Sequence, residues 1–175
     1  MLQKFIKKST SPHKNKSYVD LFFGLTHHQW IKEDKYLLNS IKELFKLLPA
    51  HVQKFLVQEN VLFIKCNKKF SSAVNLPPKA KGILIFPDLS QMLCSGAPEF
   101  GWAILAHEIG HLISKHSLKR QDPLISQIEA DKFAVNIGLG AELADFLQNL
   151  PRTQEISVRL SYLTAELATI GYFDR

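Results

Sequence analysis

Two histidines four residues apart, His107 and His111, flank Glu108 in the stretch "AILAHEIGHLISKH". On a helix, residues i and i+4 lie on one face a turn apart, so both imidazoles can aim a nitrogen at one point. Zinc binds imidazole nitrogen at about 2.0–2.1 Å, and the pair would supply two of its protein ligands. Glu108, beside the first histidine, is placed to take the proton of a water that attacks a carbonyl. The chemistry open to this triplet is zinc-assisted hydrolysis of a peptide bond, with Glu108 as the catalytic base.

An HExxH pattern also occurs by chance on surface helices. Here its neighbours are Trp102, Ile104, Leu105, Ile109, Leu112 and Ile113. Two histidines and a glutamate in so apolar a helix are costly unless they have partners, which favours a site over an accident. Gly110 costs about 1 kcal/mol against alanine in a helix interior, so a close neighbour or a passing substrate is expected there. His116 stands one residue too early for the third histidine of a metzincin, and Ser114 replaces the glycine of that pattern. It reads as a helix-end residue, favourable near the C-terminal dipole.

The elements that position the triplet follow from periodicity and punctuation. Residues 98 to 116 read as one helix, with Pro98 in its first turn. A second helix starts at an Asp122 cap with Pro123 and ends at Gly138 and Gly140. "AELADFLQNL" and "TQEISVRLSYLTAELATI" give two more, and helical spacing runs from Glu33 to Leu48, followed by "AHVQKFLVQ". "VLFIKC" (61 to 66) and "ILIF" (83 to 86) read as short strands, joined by a loop containing Pro77, Pro78 and Gly82. The class is α+β, mostly helical with a small sheet.

The chain of 175 residues, 46% apolar and 22% charged, suits one domain. Residues 1 to 18 read as a basic, flexible leader and 19 to 175 as a single domain. Most of the +6 formal charge belongs to Lys4, Lys7, Lys8, Lys14 and Lys16, which face only Asp20. The leader gives no firm nucleic-acid or membrane partner. Cys66 and Cys94 form no pattern, which fits a reducing compartment. No apolar run is long enough for a membrane span, and no secretory signal follows the start, so a cytoplasmic location is expected. Cys94 reads as a buried, inert thiol, His27 and His28 as loop residues, and Phe22, Phe23 and Trp30 as aromatics covering the core.

"AHEIGH", then "EADKFAV", then "LPRTQEISVRLSYL" resemble the membrane-embedded CAAX prenyl protease and HtpX heat-shock protease family, in a minimal, soluble form. Pro151, Arg159, Leu160 and Leu163 match that family's later helix, and the likeness covers roughly residues 82 to 165. The ImmA/IrrE-type regulatory proteases are similar almost as well. The resemblance implies a gluzincin-like (zincin) core and a zinc endopeptidase. It makes His107 and His111 metal ligands, Glu108 the base, and Asp131 a hydrogen-bond partner that orients a ligand histidine. It also lays "ILIF" along the cleft, where a peptide would add as a strand.

In that family the ligand glutamate stands four residues before the aspartate, where this chain has Gln127. Glu129 lies two before it, about 160° round the helix from Gln127. Zinc's preference for a charged carboxylate favours Glu129, reached through a local helix distortion. Helical register favours Gln127, or Asp131 acting directly, and a site with no third protein ligand stays open. Glu129 is the expected third ligand. His116 and Tyr162 are candidate donors to the oxyanion. Two rivals remain: a regulatory protease cleaving one specific partner, and a catalytically weak metal-binding or protein-interaction module.

Overall fold

The computed structural model describes residues 17–67, 81–114 and 122–172. The expected leader lies outside these residues up to position 16, as do His116 and most of the loop between the strands. The leader reading overshoots by two residues. Ser17 caps the first helix, α1 (Tyr18–Gly24), by accepting from the Asp20 amide, and Asp20 reaches back to the Ser17 amide. The two residues satisfy each other's open groups as a capping box.

A short 3₁₀ turn (Thr26–His28) leads into α2 (Gln29–Glu33). Asp34 then caps α3 (Lys35–Leu47) through the Tyr36 and Leu37 amides, and α4 (Ala50–Gln58) follows directly after Pro49. Strands β1 (Val61–Lys65) and β2 (Lys81–Ile85) pair in parallel, with Phe63 opposite Ile83. A short helix, α5 (Pro87–Leu93), joins β2 to the motif helix α6 (Glu99–Ile113). The sequence reading lacks α5, whose seven residues are too few to show helical periodicity.

The C-terminal helices are α7 (Pro123–Asn136), α8 (Gly140–Gln148) and α9 (Gln154–Thr169). Asp122 accepts from Leu124 N–H at the start of α7, as its place before Pro123 implies. The helix ends at Gly138, whose φ of +85° suits glycine. The Leu139 amide bonds to Ala134 O and the Gly138 amide to Val135 O, which closes a Schellman cap. The described residues thus make a mostly helical α+β fold with a two-stranded parallel sheet.

Buried side chains run without a break from Phe22, Ile31 and Phe45 through Phe63 and Ile85 to Leu105, Ile109 and Leu163. Phe22 and Phe23 belong to this core, and Trp30 is half-buried against it, as expected. Helices α6 and α7 pack closely because position 110 is glycine. A Cβ there would come within 3.0 Å of the Ala130 Cα and carbonyl oxygen. Of the two explanations for Gly110, the close neighbour is the one observed.

The expectation for His28 is overturned. Its ring is fully buried. Nδ1 lies 2.8 Å from Phe22 O and Nε2 lies 3.0 Å from the Phe63 amide nitrogen. The carbonyl requires Nδ1–H as donor and the amide requires a bare Nε2, so the two contacts together fix one neutral tautomer. Burial lowers the pKa of the imidazole, against the upward pull of the Phe22 carbonyl.

Candidate active site

Helix α6 runs through the core, with Leu105, Ala106 and Ile109 fully buried. His107 is held almost entirely inside, 7% exposed. Its Nδ1 sits 2.7 Å from Asp131 Oδ1, contributed by α7. A carboxylate facing Nδ1 makes that nitrogen the protonated one, which leaves Nε2 as a bare lone pair. That lone pair points toward His111, whose Nε2 lies 3.1 Å away. Two nitrogens at about 2.0–2.1 Å from one tetrahedral ion would stand roughly 3.3 Å apart, so the observed spacing fits a shared metal.

Asp131 is fully buried, and its charge is matched from α9. Arg159 Nε donates to Oδ2 at 2.8 Å and an Arg159 terminal NH₂ donates to Oδ1 at 2.7 Å. Burial alone would raise the Asp131 carboxyl. The hydrogen bonds from His107 and Arg159, with the Arg159 charge, outweigh burial and hold it below the usual carboxylate range. Asp131 therefore stays ionised behind His107, in direct hydrogen-bond contact with its ring. The sequence reading assigned Arg159 no role in the site. Its signal was a lone arginine on the face of α9 that also carries Ile156, Leu160 and Leu163, where an unpaired charge would be costly.

His107, Glu108, His111, Gln127 and Arg159 border one cavity of about 390 Å³. Gln127 contributes a side-chain oxygen, Oε1, that is buried without a hydrogen-bond partner. Glu129, also on α7 and half-buried, is not among the residues lining this cavity, and neither is Tyr162. The Tyr162 phenol is pushed well above its usual pKa by burial first and by Glu166 next, so it stays protonated. Among the described residues, no three His, Cys, Asp or Glu side chains gather closely enough to hold a metal ion.

A second cavity, about 670 Å³, adjoins the first and shares Ile104, Glu108, Phe146 and Leu150 with it. Its far wall includes Gly82, Leu84 and Phe86 of β2 and its exit. The Cys66 amide donates to Ile85 O, so residues 81, 83 and 85 turn their backbone groups toward β1. The N–H and C=O of Gly82 and Leu84 then face the other edge, where the described residues supply no strand. The opposite margin of the sheet is occupied. Phe63 N–H donates to His28, and Phe63 O accepts from Trp30 Nε1 at 3.2 Å.

Cys94 lies outside both cavities. It is half-buried rather than buried; its thiol contacts Asp34 Oδ2 at 3.9 Å, and burial first and then the Asp34 charge raise its pKa. No helix among the described residues is long and apolar enough to cross a membrane. No protein-family model, curated protein or solved structure matches the chain.

Proposed function

We propose that this protein is a zinc-dependent metalloendopeptidase with a zincin-like core. One observation carries the reading: His107 and His111 bring their Nε2 atoms within 3.1 Å of each other, on a cavity that Glu108 also lines. The orienting contact from Asp131 and the partnerless Gln127 oxygen support a metal between them. When bound, zinc would lower the pKa of a water and polarise the scissile carbonyl. Glu108 takes the proton of the attacking water and later delivers it to the leaving amine. Asp131 and Arg159 keep the His107 ring in one tautomer and one orientation throughout.

The substrate is a peptide in extended conformation. The edge of β2 that no described strand covers would offer it backbone partners at Gly82 and Leu84, and the adjoining cavity leads from that edge to Glu108. Ile104, Phe146 and Leu150 give both cavities an apolar wall against which substrate side chains would pack.

A second reading has its own support. Gln127 stands at the cavity where a carboxylate would bind zinc more strongly, which suits a catalytically weak metal-binding module or a regulatory protease with one partner. Hydrolysis of a mixed peptide library, with zinc and then with chelator, separates these readings. The peptidase reading expects zinc-dependent turnover that falls by about 10²–10⁴-fold in Glu108→Gln. Wild-type protein carrying zinc but cleaving nothing in the library would refute general peptidase activity. Cleavage confined to one protein partner would establish the regulatory reading instead.

A further inference from the structure

The identity of the third donor sets how firmly a metal is held, and the structure distinguishes the candidates. Asp131 spends both carboxylate oxygens on His107 and Arg159, so it is committed as a support. Glu129 lies off the wall that His107 and His111 share. Gln127 is on that wall, one turn before Asp131 on α7, and its Oε1 is buried with no hydrogen bond. A buried carbonyl oxygen without a donor has lost its water and gained nothing in return, a loss that a cation beside it would recover.

We propose that Gln127 Oε1 is the third protein donor, completing a formally neutral set with His107 and His111. This inference rests on the zinc reading above. Its consequence is a site built for exchangeable metal. Neutral imidazoles and an amide bring no counter-charge to a divalent cation, and Asp131 behind His107 is already neutralised by Arg159. That leaves Glu108 on the cavity wall as the carboxylate facing the metal. The protein would take up zinc when zinc is plentiful and release it when a competitor is present, so occupancy itself becomes a control on activity.

The test measures zinc affinity by competition with a chromophoric chelator, alongside the visible absorption of the cobalt-substituted protein. Wild type, Gln127→Glu, Gln127→Ala and Glu129→Ala are compared, and thermal melts verify that each is folded. One zinc per chain is expected in wild type. Gln127→Glu tightens binding at least about tenfold and Gln127→Ala weakens it at least about tenfold. Both alter the cobalt spectrum, whereas Glu129→Ala leaves affinity and spectrum unchanged. Loss of metal in Glu129→Ala, or unchanged affinity in Gln127→Ala, overturns the assignment while leaving a zinc site standing. Folded wild type and Gln127→Glu that both fail to bind zinc overturn the zinc reading and the inference together.

Discussion

Arg159 grips both oxygens of Asp131, 28 residues away, at 2.8 and 2.7 Å, inside the protein. The pair ties α7 to α9 and sits directly behind His107. Removing one member of a buried pair strands the other charge. Arg159→Met is expected to destabilise the fold by about 3–5 kcal/mol, read from urea unfolding. Arg159→Lys recovers only part of this loss, because an ammonium cannot reproduce the two-pronged contact.

Close packing at Gly110 gives a second expectation. Alanine there gains about 1 kcal/mol of helix propensity but forces its Cβ against the Ala130 backbone at 3.0 Å. Backbone cannot yield as a flexible side chain does, and overpacking costs about 1–3 kcal/mol. Gly110→Ala is therefore expected to lower the urea midpoint, and Gly110→Val to lower it further. Unchanged midpoints in both would mean that α6 and α7 separate freely.

The buried His28 sets a pH dependence of known sign. Its folded pKa is depressed below 6.5, so the folded state disfavours the extra proton that the unfolded chain accepts. Its contribution to stability is complete above about pH 6.5 and declines as pH falls through that value toward the folded pKa. The slope reaches at most about 1.4 kcal/mol per pH unit for one such group. His28→Gln is expected to be less stable at pH 7.5 and to lose less stability between pH 7 and 5 than wild type. Parallel stability curves for the two proteins would contradict this.

Leu84 offers a test of the proposed peptide-binding edge. Its N–H faces away from β1, so proline there removes no ladder bond within the sheet. Leu84→Pro is expected to keep the fold but lose one donor to an extended peptide. Its KM for peptide substrate should rise about tenfold, with a smaller change in kcat. A melting curve near that of wild type, together with an unchanged KM, would place the substrate elsewhere.

Helices with clear punctuation at their starts were legible in the sequence: α4 follows Pro49 and spans Ala50–Gln58 as read, and α7 begins at its Asp122 cap. Helices of seven residues or fewer were not, as α5 and α2 show, because two turns cannot display a period. The same spacing that showed the HExxH face could not show Arg159, since its partner comes from another helix. His28 was misread for a related reason. Its partners, Phe22 and Phe63, lie on two elements whose meeting is a tertiary fact. Chemical preference favours Glu129 and helical register favours Gln127; of the two, Gln127 lines the cavity that His107 and His111 also line.

The side chains of His28 and Trp30 stand where a third strand would otherwise bond to Phe63. Among the described residues, this leaves the sheet able to grow in one direction only, across Gly82 and Leu84. A strand offered by another molecule, including a second copy of this chain, would have to lie where the proposed peptide substrate would lie. Strand pairing between copies and binding of such a peptide would then exclude one another.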